Sequence, residues 1–299
     1  MATLPNPLPK LAADPGGREL GLELPPGRLV DAAEPADTAD DGTRPEPLLW
    51  HAEGPAAPGA WSALAPAGRT SGLLPLLVDA GGEQGGPADW QLMPDEMSYP
   101  GDHDAEEVLA EFWEEYATEE LGPAEDHPAM AAVVELFGEP ATYEDTVAPY
   151  GPEWPGLAPA TTADADPDAR AAEIADSLAD SGSWLKDPRI ALVPARRSAD
   201  IPAAIGWAGP LNHEGDVARL CAVLRSWEDR FGIRVVALTF DQLVLSVAAP
   251  PTTTAEAEAV AAEHFAFCPD NITQGSHETL RAYAAREVLD QKVWSFWWD

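Results

Sequence analysis

The end of the sequence constrains the fold more than any other segment. The closing stretch, Lys292 to Asp299, contains three tryptophans and a phenylalanine. In a β-strand, alternate side chains lie on opposite faces, so Trp294, Phe296 and Trp298 would share one face. The ends of a chain usually fray unless packing ties them down. We therefore predict that this stretch is a strand and that its aromatic face lies in the core.

Composition limits the classes of protein that this chain can belong to. Its 299 residues suggest one large or two modest domains. No run of about 20 apolar residues is present, so a membrane span is not expected. The first residues lack the basic start and apolar run of a secretory signal. Two cysteines, Cys221 and Cys268, are typical of a reducing compartment, so we predict a cytoplasmic protein.

Negative charge is concentrated in the middle of the chain. The formal net charge is −35, and Asp89 to Asp180 contains 25 acidic residues but one basic residue, Arg170. Such a surface repels nucleic acid and anionic membranes, because both need Lys and Arg for attraction. The stretch is interpreted either as a solvated acidic face or as a lure for a basic protein partner, with mimicry of DNA as a variant of the second interpretation.

Proline and glycine divide the chain into two parts. Of 31 prolines, 24 precede Asp168, as do 18 of 24 glycines. We predict a loop-rich, acidic α/β N-terminal part over residues 1–148, a linker over 149–167 and a compact C-terminal domain over 168–299. Three apolar runs in the first part predict short strands. These runs are Leu20–Leu24, Pro47–Trp50 and Leu73–Val78.

Asp104 to Leu121 has the pattern of an amphipathic helix. Asp104 is a good N-cap, and Glu107 lies at the capping-box position. The apolar residues fall on one stripe and the glutamates on the remaining surface. The stripe contains Val108, Leu109, Phe112, Trp113 and Tyr116. The structural interpretation is a helix that packs on the core and exposes an acidic back.

The second part alternates helix and strand signals. They indicate a helix at Asp168–Ala179, a strand at Arg189–Val193 and a helix capped by Asp216 that ends at Gly232. A hairpin follows, with strands at Ile233–Phe240 and Leu243–Ala248. Next come a helix with a Thr253–Glu256 capping box, a helix at His277–Leu289 and the tryptophan-rich strand. This order predicts an α+β fold in which a largely antiparallel sheet packs with helices.

Two polar loops are the candidate binding regions. One runs from Trp207 into the helix capped by Asp216, and the other lies between His264 and His277. Asn, Asp and Gly in such loops supply turns and caps, so a structural role is the alternative to a binding role. The candidate site residues are Trp207, Asn212, His213, Asp216, His264, Phe267, Asp270 and Asn271.

The sequence provides weak support for a metal or a catalytic nucleophile. His264 and Cys268 are four residues apart on one helix and could join a zinc site with Cys221 or His277. Both cysteines, however, lie among apolar residues, where a thiol behaves as a small hydrophobic group. No nucleophile elbow, phosphate loop, zinc-protease motif or dinucleotide fingerprint is present. We predict no metal, no cofactor and no catalytic residue.

Several motifs of the last third together resemble a known bacterial family. They are Ile190-Ala-Leu-Val-Pro194, Gly206-Trp-Ala-Gly-Pro-Leu-Asn212, Leu224-Arg-Ser-Trp-Glu-Asp-Arg-Phe-Gly232, Leu245-Ser-Val-Ala-Ala-Pro-Pro251, Glu263-His-Phe-Ala-Phe-Cys-Pro-Asp-Asn271 and the Trp-Ser-Phe-Trp-Trp ending. The region from Trp184 to Asp299 resembles the family called domain of unknown function 4253. The part before it resembles the N-terminal extension of actinobacterial members. The resemblance implies no activity and no catalytic residue.

The sequence therefore leads to two functional hypotheses. The first is a cytoplasmic, non-enzymatic protein-interaction or binding module, in an immunity-like or regulatory role, that binds a basic protein. The second is a small hydrolase or transferase with a site between the 207–216 and 264–277 loops. A pocket that brings His213, His264 or Asp270 within hydrogen-bonding distance of one another would favour the enzyme hypothesis.

Overall fold

A single seven-stranded sheet organises the protein. The computed structural model describes residues 6–32, 46–120 and 143–299. The strands are β1 (Gly27–Asp31), β2 (Pro47–Ala52), β3 (Leu73–Asp79), β4 (Pro188–Pro194), β5 (Arg234–Leu238), β6 (Gln242–Ser246) and β7 (Val293–Trp297). Their order is β1-β2-β4-β3-β5-β6-β7. Neighbours are antiparallel except β3 and β5, which confirms the predicted α+β class with a largely antiparallel sheet.

The sheet contains strands from both sides of the predicted linker. β4, from the second part of the chain, lies between β2 and β3 from the first part. β3 pairs with β4 along seven residues, from Leu73 opposite Pro194 to Asp79 opposite Pro188. The division into 1–148, 149–167 and 168–299 stays a prediction about domains, but the two parts share one sheet.

Helices cover both faces of this sheet. They are α1 (Lys10–Ala13), α2 (Ala60–Ser71), α3 (Ala105–Glu120), α4 (Tyr143–Val147), α5 (Pro167–Ala179), α6 (Ile201–Ile205), α7 (Val217–Phe231), α8 (Thr254–Phe267), α9 (Asp270–Thr273) and α10 (Leu280–Tyr283). α3, α7 and α8 contribute to one core cluster, and α2 and α5 contribute to the other. Strand side chains alternate between the clusters as the pleat requires, with Ala191 and Val193 in the first and Ile190 and Leu192 in the second.

Helix ends follow the capping chemistry expected from the sequence. Asp104 Oδ1 accepts hydrogen bonds from the backbone N–H groups of Glu106 and Glu107, at 2.9 and 3.1 Å. Thr253 and Glu256 form the predicted capping box, and Gly232 adopts the left-handed conformation at the end of α7. Leu121, the predicted end of the acidic helix, lies outside the described residues. In the described part of the chain, no helix combines the length and the apolar character needed to span a membrane.

One predicted strand is wrong, and one predicted helix is present but differs in extent and type. Residues 20–24 do not form a strand, because left-handed Gly17 and Gly21 bracket a short 3-10 helix at Arg18–Leu20. The edge strand begins only at Gly27, after the two prolines. The single helix predicted for 277–289 is instead α10, capped by Thr279, followed by a π-helical turn at Ala284–Val288.

The aromatic face of β7 is buried as predicted. Trp294, Phe296 and Trp298 have 1%, 0% and 3% of their surface exposed. They belong to the same core cluster as α7 and α8, whereas Val293 on the opposite face packs against the second cluster. The period-two pattern therefore locates the strand and the face that it buries.

Candidate binding cleft

The two predicted binding loops meet at the last residues of the sequence. Asn212 Nδ2 donates to the backbone oxygen of Asp299 at 2.6 Å, and the N–H of Asp299 donates to Asp270 Oδ2 at 3.2 Å. Between them, the Trp298 ring packs edge-on against Trp207 and Phe267, with centroids 5.8 and 5.7 Å apart. The structure thus brings these candidates together around packed side chains.

Trp207 and Asp216 make hydrogen bonds that stabilise the fold. The indole N–H of Trp207 lies 2.9 and 3.1 Å from the backbone oxygens of Thr239 and Phe240, in the turn between β5 and β6. Asp216 Oδ1 accepts from the N–H of Ala218 in the first turn of α7. It also accepts from the N–H of Ser98 at 3.0 Å. Both residues fix loops to the core, which is the structural alternative given above.

His264 is enclosed by aromatic rings. Together with Trp227, Phe267, Trp294, Phe296 and Trp298, it forms what we call the aromatic cluster. Its Nδ1 lies 3.1 Å from the hydroxyl of Tyr283, and its Nε2 has no hydrogen-bond partner among the described residues. Burial lowers the pKa of His264 to about 3, because nothing compensates a charge there. The imidazole is therefore neutral at ordinary pH.

His213, the other candidate histidine, contacts different residues from those that surround His264. The ring of His213 packs against Phe112 of α3, with centroids 4.8 Å apart. Burial lowers the pKa of His213, despite opposing attraction from Glu214 and Asp270. His213 and His264 make their ring contacts with different neighbours, so the described contacts do not join them into one hydrogen-bonded group.

Asn271 pairs with the edge of the sheet. Its Nδ2 donates to the backbone oxygen of Ser295 at 2.7 Å, and its Oδ1 accepts from the N–H of Trp297 at 3.3 Å. The amide thus takes the place of a neighbouring strand beside β7. An edge strand with open backbone groups is a site for unwanted pairing, so this amide protects the edge.

The cysteines are buried and free. Cys221 and Cys268 form no disulfide, and burial raises the pKa of both thiols. The Cys268 thiol donates to the backbone oxygen of Trp297 at 3.0 Å. No group of three or more His, Cys, Asp or Glu within residues 6–32, 46–120 and 143–299 has the arrangement of a metal site.

A buried ion pair was not expected from the sequence. Glu263 of α8 is fully buried and receives two parallel hydrogen bonds from Arg230 of α7, at 2.6 and 2.7 Å. Trp227 Nε1 and the N–H of Ala158 donate to the same carboxylate. Arg230 also donates to the backbone oxygen of Ala158 at 2.8 Å. The only sequence signal was a charged residue on an otherwise apolar helix face.

An open cleft of about 690 Å³ lies where β2 and β4 separate. These strands pair at Trp50–Leu192 and His51–Ala191. Continuing this register would place Leu48 opposite Pro194 and Pro47 opposite Ala195. Proline has no N–H to donate, so a ladder that reaches Pro47 and Pro194 cannot continue. Small side chains of α6, Ala203 and Ala204, line the opening.

The walls of this binding cleft are mainly apolar. Leu48, Met97 and Pro100 line it together with the proline and alanine side chains of β4 and α6. At one side, Arg225 forms a two-point ion pair with Asp200, at 2.5 and 3.0 Å. The guanidinium carbon lies 5.1 Å from the ring centre of Tyr99, which is 42% exposed. Mainly apolar walls with a few fixed polar groups are typical of ligand pockets in proteins.

The wall that contains Met97 and Tyr99 belongs to an acidic stretch. From Met93 to Ala117 the sequence has nine Asp and Glu residues and no Lys or Arg. Asp95 and Glu96 are exposed within the wall segment, and exposed glutamates continue along α3. One of them, Glu111, pairs with Arg219 of α7 at 2.7 Å. In the sequence, the residues of this cleft wall are therefore followed directly by a strongly acidic segment.

Comparison with known protein families gives a match in the last part of the chain. Residues 189–299 match the family described as a domain of unknown function (DUF4253), which confirms the resemblance expected for that region. The description assigns no activity. No curated protein matches the chain, and no solved structure matches it. The matched region supplies β4, α6 and Arg225 to the binding cleft, and the preceding region supplies Leu48, Met97 and Tyr99.

Proposed function

We propose that this protein is a binding module that captures a basic, partly apolar segment of a partner protein. The observation that carries the proposal is the apolar binding cleft whose wall continues into the acidic stretch from Asp95 along α3. In this arrangement the cleft accepts an apolar anchor side chain, and the acidic surface attracts the flanking Lys and Arg residues. We propose a cytoplasmic setting, because both cysteines are free thiols. We also propose an immunity-like or regulatory role, because such a role suits an acidic protein that binds a basic one.

The two features contribute differently to binding. Attraction between the acidic surface and a basic segment acts over about 10 Å at 0.1 M salt and mainly raises the association rate. An apolar side chain buried in the cleft, next to Tyr99 and Arg225, slows dissociation instead. Affinity should therefore fall as salt rises, and a salt-resistant part should depend on the cleft.

A displayed library of random peptides tests the proposal without knowledge of the natural partner. Selection on the wild-type chain should enrich peptides with one bulky apolar residue flanked by Lys or Arg. Ala204→Trp, which fills the cleft, should lower the affinity of a selected peptide at least tenfold, as measured by fluorescence polarisation. Enrichment without basic residues, or unchanged binding to the filled cleft, would contradict the proposal.

A matched pair of charge variants separates the acidic stretch from total charge. One variant changes Glu96, Glu107 and Glu115 to Gln, and the control changes Glu23, Glu53 and Glu278 to Gln. All six are exposed, so each variant removes three surface charges with little effect on folding. The first variant should bind the peptide more slowly at low salt and the control should not. Equal effects would show that net charge alone attracts the peptide.

A further inference from the structure

Four arginines line a second, smaller cavity, although the chain has few basic residues. It measures about 110 Å³, and Arg69, Arg196, Arg197 and Arg234 line it together with Asp168 and Glu228. The whole chain has 17 basic residues against 52 acidic ones. Four arginines against two carboxylates make this lining locally positive in a protein of net charge −35. We call it the arginine pocket.

Elements from across the fold build the arginine pocket. Arg69 lies in the last turn of α2, Arg196 and Arg197 follow β4, and Arg234 begins β5. The side chains of Trp61, Leu74 and Pro75 supply an apolar part of the lining. Long-range contacts of the fold, and no local motif, therefore bring these guanidinium groups together.

The carboxylates of the arginine pocket hold the guanidinium groups in position. Asp168 bridges Arg69 and Arg234, at 2.7 and 2.9 Å. Burial alone would raise the pKa of Asp168, but the hydrogen bonds from Arg234 and Arg69 lower it below its usual range. Glu228 lies 3.5 Å from Arg197 and 3.6 Å from Arg234. Asp168 and Glu228 thus keep the arginine forks in place.

Arg69 has N–H donors to spare, because a guanidinium carries five of them. Arg197, by contrast, also donates to both oxygens of Asp229 and to the backbone oxygen of Arg225, and Arg234 also donates to the backbone oxygen of Ile233. Arg69 uses Nη2 for Asp168, and 58% of its side chain is exposed. Arginine forks bind the oxygens of phosphate and similar ions through paired hydrogen bonds.

We infer that the arginine pocket is a binding site for a small phosphate-class oxyanion. The volume is well below the roughly 300 Å³ at which pockets for drug-sized ligands begin, so a small ion or a terminal phosphate group fits better than a large ligand. The acidic remainder of the surface repels long polyanions, so the site selects against nucleic acid. Arg196 lines both cavities, but Arg69 and Trp61 line this pocket and not the cleft, and Tyr99 and Met97 line the cleft and not this pocket, so variants at these residues test the two sites separately.

Titration calorimetry of the full chain with inorganic phosphate tests this inference. Sodium chloride is adjusted to keep ionic strength constant, so that general screening does not change. We expect saturable binding of one phosphate and a matching rise in melting temperature, because a ligand of the folded state stabilises it. A parallel titration with phosphoserine shows whether the preferred ligand is a free ion or a phosphate ester. Absence of saturable binding with both probes would overturn the inference.

Variants of Arg69 provide the structural control. Arg69→Gln should weaken phosphate binding at least tenfold, and Arg69→Lys should weaken it less, since lysine keeps the charge but not the fork. Arg281→Gln is the matched control, because Arg281 is 60% exposed and pairs with Glu258 outside the pocket. Tyr99→Ala should leave phosphate binding unchanged, which separates this site from the cleft. Equal phosphate affinities of folded Arg69→Gln and Arg281→Gln chains would contradict the assignment.

Discussion

The aromatic cluster and the binding cleft lie in the same fold but differ in how they are closed. In the aromatic cluster, rings from α7, α8 and β7 fill the space, and even the polar His264 is enclosed. In the cleft, the pairing of β2 and β4 ends at Trp50 and Leu192, before it reaches Pro47 and Pro194, and small alanines of α6 leave the space open. The most conspicuous residues of this sequence therefore build the core, whereas inconspicuous ones line the open cleft.

Removing the end of β7 should have the largest effect of all. A chain that lacks Trp294 to Asp299 loses three buried aromatic rings, each worth about 2–3 kcal/mol, whereas whole domains are stable by only about 5–15 kcal/mol. We expect the truncated chain to remain unfolded by circular dichroism and amide NMR. A cooperative melting transition at the wild-type temperature would show that β7 is not part of the core.

Breaking the buried ion pair should have the next largest effect. Glu263→Leu leaves the largely buried Arg230 without its carboxylate, and a broken buried pair costs about 3–5 kcal/mol. Urea denaturation should show this loss of unfolding free energy. The double variant Arg230→Met, Glu263→Leu removes both charges and should recover most of it. If the double variant is as unstable as Glu263→Leu, then the contacts to Ala158 and Trp227 dominate over the charge pairing.

The pH dependence of stability should reveal His264. Its pKa is about 3 in the folded chain and about 6.5 when unfolded, so the unfolded state binds the extra proton between these values. Stability from this group is therefore fully present above pH 6.5 and falls as pH decreases towards 3. Between pH 7 and pH 5 the wild type should lose about 2 kcal/mol more than His264→Phe, by urea denaturation at each pH.

The matched control for this pH effect is His277→Gln. His277 is partly exposed and pairs with Glu287 at 3.1 Å, outside the aromatic cluster. Its replacement should leave the pH dependence of stability close to that of the wild type. If His264→Phe and the wild type lose the same free energy between pH 7 and pH 5, His264 is accessible to protons in the folded state.

Local patterns in the sequence predicted much of the fold. Alternation located β7, and capping chemistry located the starts of α3, α7 and α8 at Asp104, Asp216 and Thr253. These signals depend on residues a few positions apart, so they can be recognised without tertiary contacts. The strand predicted at 20–24 failed for a local reason too, since the glycines beside it favour left-handed turns.

Tertiary contacts explain why the sites were less predictable. A site between the loops at 207–216 and 264–277 was one of two hypotheses, but the packing of Trp298 between Trp207 and Phe267 was not predicted. The binding cleft depends on where β2 and β4, two strands that are far apart in sequence, stop pairing. The arginine pocket likewise joins Arg69 to residues more than a hundred positions away. Local sequence patterns do not encode such long-range contacts, so these sites could not be predicted from the sequence.

The smallest expected change in stability is at Tyr99, and it sharpens the comparison between cluster and cleft. Tyr99 is partly exposed and its ring lies over Arg225, a contact worth about 0.5–1 kcal/mol at exposed sites. Tyr99→Ala should therefore lower the unfolding free energy by no more than about 1 kcal/mol. It should nevertheless lower the affinity for a selected basic peptide at least tenfold, because aromatic residues in clefts are frequent binding hot spots. Trp184→Ala, at another exposed aromatic residue, should change neither quantity by as much. If the Tyr99→Ala chain is destabilised as much as a core aromatic variant, yet binds the peptide normally, then this wall of the cleft belongs to the hydrophobic core and is not a binding surface.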